Sequence, residues 1–479
     1  MPPIDHLFYP DSIAIAGITI ANPTHWTRCF LDSLLEFDFK PPIYLVNPKG
    51  GEIRGMQVFR SLEDIPAPVD YVISTVPAKV STELIKECAR KGVRAIHFCT
   101  SGFSETGEEE GVKLESALSE LSQRTGVRII GPNCMGIYCP ESAMSFSTLF
   151  PRDSGPVGII SQSGGNTSYL IRHSAVRGVR FSKVISYGNA CDLDESDFLE
   201  YLTADSAIKV IALYIEGTKN GTRFRRALEK AAKEKVVLLL KGGVTQGGAR
   251  AVAGHTSALA GDEVVWDSLC KQLGVIRVGS LWEMVNILVT LLYMPVPDGR
   301  NVVLIGGGGG ASVLITDAFE RRGLLVPPLP KEKIREILGF TSYAGNILKN
   351  PIDYGQYLTE TDRVSKMIDI VSRWDEVNFA VKFYVPTMYS SITDLEKRMK
   401  PLVYFLTKSG TSPKPTSVVI EPGVLPRETE FYEQIVKQCV SAKLPVYYSF
   451  EDAALSIDLM LRYKESNPGK LGRLFHDVG

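Results

Sequence analysis

Short runs of β-branched and aliphatic residues alternate with amphipathic stretches along nearly the whole chain, and this rhythm constrains the fold more than any other feature of the 479 residues. "SIAIAG", "PIYLVNP", "YVISTVP", "AIHFCTSGF" and "RIIGPN" are separated by helix-like segments such as "STELIKECARKG" and "VKLESALSELSQRTG". Strands alternating with helical patterns imply βαβ units and a parallel sheet. The rhythm restarts after the turn-rich joint "FPRDSGP", with "VGIISQSGG", "FSKVISYGN", "VIALYIEG" and "VVLLLKGG". It breaks at "LLYMPVPDGR" and begins a third time at "NVVLIGGGGGAS", running to the last helix, "EDAALSIDLMLRYKE". At about 150 residues per domain the length accommodates three. The expected fold is therefore α/β: a Rossmann-like domain over 1–150, then two further doubly wound domains over 151–297 and 298–479. The tail "NPGKLGRLFHDVG" is expected to be loosely attached.

Charge and cysteine usage narrow the function classes. Lysine plus arginine (53) nearly cancels aspartate plus glutamate (54), and no long basic run interleaves with aromatics, which argues against nucleic acid or an anionic membrane as partner. The start, "MPPIDHLFYPDSIAIAG", has no basic n-region, and apolar runs such as "VVLLL" fall far below the ~20 residues of a membrane span. A soluble cytoplasmic protein that handles small molecules or other proteins is expected. The eight cysteines show no CxxC and no zinc spacing, so they read as reduced structural thiols and no metal site is expected.

In the first domain a strand ending in glycine invites a nicotinamide dinucleotide, but "GITIAN" lacks the GxGxxG spacing. The second strand ends in "VNPKGG", with Lys49 where a dinucleotide site wants an acid for the ribose, and a lysine there suits a phosphate. "VPAK", "CTSGFSE" and "GPNCMG" end further strands on the edge where doubly wound sheets bind ligands. As a set they offer backbone donors, hydroxyls, Lys49, Lys79 and apolar contact from Pro77 and Phe103.

These loops, followed by "GIISQSGG", "YIEG" and "GARAVAGHTSALAG", resemble the α subunit of the nucleoside-diphosphate-forming acyl-CoA synthetases, including the ADP-forming acetyl-CoA synthetases, and more distantly the succinyl-CoA synthetases. The resemblance covers nearly the whole chain and is strongest from Ile13 to Gly261. It implies a coenzyme A-binding first domain and two flavodoxin-like domains of the succinyl-CoA synthetase type. Carried over residue by residue, the coenzyme A contacts are Gly17, Ile18, Thr19, Ile20, Ala21, Lys49, Pro77, Thr100, Ser101 and Asn133.

The resemblance also gives a task to His255, one of six histidines, set among glycine, alanine, serine and threonine. Phosphate attacks the acyl-CoA carbonyl and releases coenzyme A; the acyl phosphate then passes its phosphoryl group to an imidazole nitrogen, whose N–P bond is reactive enough to phosphorylate ADP. Small flanks, including Gly247, Gly248 and Gly254, suit a mobile tether. Glu216, at the end of "VIALYIEG", takes the family's role of accepting a hydrogen bond from the other ring nitrogen; without the resemblance it reads first as a solvated loop residue or helix cap. Ser163, Gly164, Gly165 and Asn166, and likewise Gly308, Gly309, Gly310 and Ala311, precede helices and offer N–H groups to a phosphate. The five-glycine run alone could be only a flexible turn. Asp353, in "NPIDYG", reads as a structural cap.

His97 reads as a satisfied core residue, His173 as a helix residue, and His6, His25 and His476 as peripheral. There is no GxSxG and no P-loop lysine motif. No segment resembles the ATP-grasp fold, so the resemblance implies a separate β subunit carrying ADP/ATP and magnesium, in an α2β2 assembly. A relative that binds acyl-CoA without turnover is the alternative, and a nicotinamide oxidoreductase a more distant one.

Overall fold

The structure, a computed structural model, describes residues 4–256, 262–358, 360–385 and 392–475. The chain gathers into two compact units, Met1–Ala175 with Arg180–Met284, and Val176–Val179 with Val285–Gly479. The first holds two sheets and the second holds one.

The first sheet is built from β1 (Ile13–Ala16), β2 (Ile43–Val46), β3 (Gly51–Ile53), β4 (Met56–Phe59), β5 (Tyr71–Ser74), β6 (Ala95–Phe98) and β7 (Arg128–Ile130). Their order is β3-β4-β2-β1-β5-β6-β7, parallel throughout except for the β3–β4 hairpin. Winding proceeds outward in one direction from β1 and in the other from β5, the arrangement that opens a crevice at the carboxyl ends of these two strands. The connecting helices Ser81–Lys91 and Glu109–Thr125 stop at Gly92 and Gly126, which adopt φ of 76° and 79°. A side chain there would be strained, and glycine closes the last turn without that cost.

The second sheet contains β8 (Gly136–Tyr138), β9 (Val157–Ser161), β10 (Phe181–Ser186), β11 (Val210–Ile215), β12 (Val236–Lys241) and β13 (Ile276–Val278), in the order β13-β12-β11-β9-β10-β8. The five parallel strands follow the flavodoxin-like order, with the switch point between β9 and β11. β8 runs antiparallel on the edge against β10. Sheet membership therefore changes at Gly136, inside the stretch assigned to the first domain from sequence. "GIY" is too short to show a period, and Gly136 sits where a Cβ would lie 2.7 Å from the His97 ring, so the first sheet's core presses on this strand.

In the second unit, β14 (Val302–Gly306), β15 (Ile347–Leu348), β16 (Ile352–Asp353), β17 (Phe379–Tyr384), β18 (Thr416–Ile420) and β19 (Val446–Tyr447) take the order β15-β16-β14-β17-β18-β19. This too is flavodoxin-like, with β15 an antiparallel edge. Lys382 of β17 is 3% exposed, and its ammonium donates to the carbonyls of Phe405 (2.8 Å), Leu406 (3.2 Å) and Lys408 (2.5 Å), where the helix Ile392–Thr407 ends. The Lys382 side chain thereby satisfies carbonyls that the helix itself cannot, and burial pulls its pKa down to about 7. The tail is less loose than expected, since a short helix, Lys470–Phe475, buries Leu471; His476 lies outside the described residues.

His97 is a satisfied core residue. It is 2% exposed, with Nδ1 2.8 Å from the Tyr71 hydroxyl and Nε2 3.0 Å from Cys99 Sγ. Burial pushes its pKa down to about 3. In the unfolded chain the imidazole protonates near pH 6.5, so between about 6.5 and 3 the unfolded state binds more protons and stability falls as pH falls. The slope of the urea midpoint against pH over the acid range should flatten in His97→Gln relative to the wild type.

Candidate functional site

The carboxyl ends of β1 and β5 are held together by direct backbone contact. Thr75 N–H (2.8 Å) and the Thr75 hydroxyl (3.1 Å) both donate to Ala16 O, and Gly17 N–H donates to Val46 O at 2.9 Å. Gly17 has φ of 89°, and a Cβ on it would lie 2.7 Å from Val76 N. Only glycine fits here, and the chain can then cross the head of the sheet.

The rest of the loop is shaped from behind. The buried Arg28 donates to Thr19 O (2.7 Å) and Ile20 O (3.2 Å), and Asn47 Nδ2 donates to Ile18 O (2.9 Å). The Ile18 side chain is fully buried, which leaves only its backbone for a ligand. Ala21, Lys49, Pro77 and Ser101 are exposed around the same edge, with Lys49 N–H donating to Asn47 Oδ1 at 3.0 Å. Thr100 donates to Val76 O (2.6 Å), while Asn133, at φ of 59°, donates from its backbone to Thr100 O (3.1 Å). Loops after five strands thus converge, with Lys49 and Lys79 both exposed among them.

The second sheet places Glu216 at its own switch point, just after β11. Glu216 is 2% exposed and is no solvated loop residue. Its Oε1 accepts from the Tyr214 hydroxyl at 3.0 Å. Gln162, just after β9, accepts from the backbone N–H groups of Glu216 and of Gly217 (3.1 Å), while Lys241 at the end of β12 donates to Glu216 O (2.7 Å). Burial lowers the pKa of Lys241, and the neighbouring Glu216 raises it.

Beside this group the helix Gly164–Ala175 begins. Ser163 caps it, with Oγ accepting from Asn166 N–H at 3.3 Å, and Gly165 is exposed at its head. The leading N–H groups of a helix have no acceptor within it, so this end favours an anion.

The glycine-rich stretch before His255 is helical. It forms the helix Gln246–Thr256, started by Thr245, whose Oγ1 accepts from Gly248 N–H at 3.0 Å. Ala249, Ala251 and Ala253 supply the helix propensity that the glycines lack. His255 lies in the last turn; its side chain, and residues 257–261 with Ser257, fall outside the described residues.

This helix runs against the short turn Ser104–Thr106 of the first sheet's "CTSGFSE" loop. That loop is anchored in turn to the second sheet. Glu105 accepts from the backbone of Gly102 (2.5 Å) and Phe103 (3.2 Å), and Asn189 Nδ2 donates to both Glu105 (2.7 Å) and Glu115 (2.9 Å). Lys219, three residues beyond Glu216, donates to Glu115 Oε1 at 3.3 Å and to Ala190 O at 2.9 Å.

In the second unit the helix Gly309–Glu320 starts after Gly308, at φ of 108°. Asp353 caps this loop, Oδ1 accepting from Gly308 N–H (2.9 Å) and Gly355 N–H (3.1 Å). The Gly308 N–H is therefore already committed, and an anion seat here would rest on exposed Gly309 and Gly310 and on Ala311. Among the described residues, no group of three or more His, Cys, Asp or Glu could hold a metal ion, and no helix is long and apolar enough to cross a membrane.

Comparison with known proteins bears on the same two sheets. Residues 11–140 match the family described as a CoA binding domain, and residues 154–291 match the succinyl-CoA ligase like flavodoxin domain. The α subunit of ADP-forming acetate–CoA ligase I of Pyrococcus furiosus is 37% identical over 359 residues, which are 73% of this chain and 76% of that relative. The chain belongs to the ADP-forming acyl-CoA ligase family. ADP-forming acetate–CoA ligase I of Archaeoglobus fulgidus is 35% identical over 80% of this chain, and the match spans 55% of that protein. Among solved structures, a dinucleotide-forming acetyl-coenzyme A synthetase 1 of Candidatus Korarchaeum cryptofilum, in complex with phosphate and ADP, superposes with a TM-score of 0.79 at 27% identity and covers both chains completely.

Reasoning from sequence missed Arg28, Gln162, Tyr214, Lys241 and Asn189. Gln162 and Tyr214 stand inside quoted motifs, "SQSGG" and "YIEG", but their partners are distant in sequence and only folding brings them together. Gly17→Ala should lose about 1–3 kcal/mol of stability, from the strained φ and the clash with Val76, and should bind coenzyme A more weakly; denaturant unfolding and titration calorimetry measure the two effects.

Proposed function

We propose that this chain is the coenzyme A-binding, phosphoryl-carrying half of an ADP-forming acyl-CoA ligase, with His255 as carrier and Glu216 as its orienting carboxylate. In this reading residues 1–150 hold coenzyme A through Gly17–Ala21, Lys49, Pro77, Thr100, Ser101 and Asn133. Residues 151–297 carry the histidine, and residues 298–479 form a further flavodoxin-like domain with a glycine loop of its own. Inorganic phosphate attacks the thioester carbonyl, a P–O–C bond forms, and coenzyme A leaves as the thiol. An imidazole nitrogen of His255 then takes the phosphoryl group, and the carboxylic acid departs. Transfer from nitrogen to ADP completes ATP and restores the imidazole.

The observation that carries this reading is the packing of the helix Gln246–Thr256 on the Ser104–Thr106 turn, within one compact unit. It supports a histidine carrier beside the loops that the coenzyme A-binding family shares. The buried Glu216 supports it independently, because a carboxylate held out of water is suited to fix an imidazole tautomer and to stabilise its phosphorylated form. The helix end at Ser163–Asn166 suits a transferring phosphoryl group, whose chemistry depends on positioning and charge stabilisation.

ADP and magnesium belong, in this proposal, to an ATP-grasp β chain in an α2β2 assembly. Incubation with an acyl-CoA and labelled phosphate should place acid-labile label on His255. His255→Ala should reduce the label to background, and Glu216→Gln should slow its formation while leaving its position unchanged. Undiminished labelling of His255→Ala would falsify the assignment. Coenzyme A binding with no phosphohistidine, even with the β chain present, would favour a binding protein instead.

A further inference from the structure

We propose that Tyr214 is a positioning residue, fixing the Glu216 carboxylate beside the head of the helix Gly164–Ala175 so that the carboxylate and the phosphoryl seat keep one geometry. The inference rests on the phosphohistidine reading and extends it to a residue which that reading does not use.

Strand geometry and one hydrogen bond define this role. Residues i and i+2 of a strand share a face, which places Tyr214 and Glu216 side by side at the end of β11. The phenol donates to Glu216 Oε1 at 3.0 Å, and the Asn166 side chain, in the first turn of the helix Gly164–Ala175, acts on the same phenol and lowers its pKa. The phenol thus donates to the carboxylate from the side of the phosphate-facing helix end. Burial, and then the charge of Glu216, push the Tyr214 pKa up, so the phenol remains a donor at neutral pH.

The surroundings are built to admit this hydroxyl. A Cβ on Gly242 would lie 2.8 Å from the Tyr214 oxygen and 3.4 Å from Glu216 Cγ. Glycine at the start of the segment leading to the His255 helix leaves the space that the phenol fills. The backbone of Glu216 is held separately by Gln162 and Lys241. Loss of the hydroxyl should therefore disturb the carboxylate without moving the strand end.

The test uses the full chain with its β partner, an acyl-CoA and phosphate. Tyr214→Phe keeps the ring and removes only the O–H. The rate of His255 phosphorylation should fall about 10-fold or more, the scale of one lost hydrogen bond to a charged group, while the KM for acyl-CoA stays at the wild-type value. In a Glu216→Gln background the same substitution should have much less effect, because the group being positioned is already altered. A wild-type rate in Tyr214→Phe overturns the inference, and so does a full second loss in the double variant. Labelled wild type with a neutral Tyr214→Phe refutes this inference alone; wild type that never labels His255 refutes the underlying reading and this inference with it.

Discussion

A parallel sheet whose winding reverses leaves the loops after two neighbouring central strands without a helix packed between them. The rest of this protein is arranged around that constraint. In the first sheet the reversal falls between β1 and β5, where Gly17 lies so close to Val76 that no side chain can intervene. In the second it falls between β9 and β11, and Gln162 bridges it by accepting from the backbone beyond Glu216. In the third, Asp353 steadies the glycine loop that leaves β14. The device is the same in all three, an otherwise open crevice whose walls are pinned by backbone hydrogen bonds. What differs is the group left facing it: a basic and hydroxylic rim, a buried carboxylate, or a bare helix end.

Much of this could be read from the residues. The strands followed from β-branched runs, the ligand edges from what ended each run, and the importance of Glu216 from its place after "VIALYI". Sequence failed where a role is defined by a distant partner. Arg28 looks like any helix-leading arginine until its guanidinium is found holding the carbonyls of Thr19 and Ile20. Ile18 sits within a binding loop, yet its side chain serves the core. The helix before His255 was hidden in another way. Its glycines suggested a tether, but the alternating alanines and the Thr245 cap were sufficient for a helix. Composition describes average freedom, whereas a cap and a packing surface decide the state actually adopted.

Within the first compact unit the two sheets also share polar groups. Asn189 offers one amide to two carboxylates, Glu105 and Glu115, and Lys219 supplies the positive charge beside them. A rearrangement of the "CTSGFSE" loop would leave a buried carboxylate short of donors, which is costly in a medium of low polarity. The "CTSGFSE" loop and the loop carrying Glu216 are therefore joined through Glu115, which accepts from Ser104 and from Lys219.

The edge strand β8 has a practical corollary for dissecting this protein. A fragment ending near residue 150 would carry Gly136–Tyr138 without β10, leaving an unpaired strand free to recruit another chain. A fragment beginning after that point would have the complementary defect, a bare β10 edge. Cutting the protein at the joint suggested by its turn-rich linker would thus produce two pieces prone to stick to each other or to themselves. A separable coenzyme A module would have to end before Gly136 and give up the strand to its neighbour.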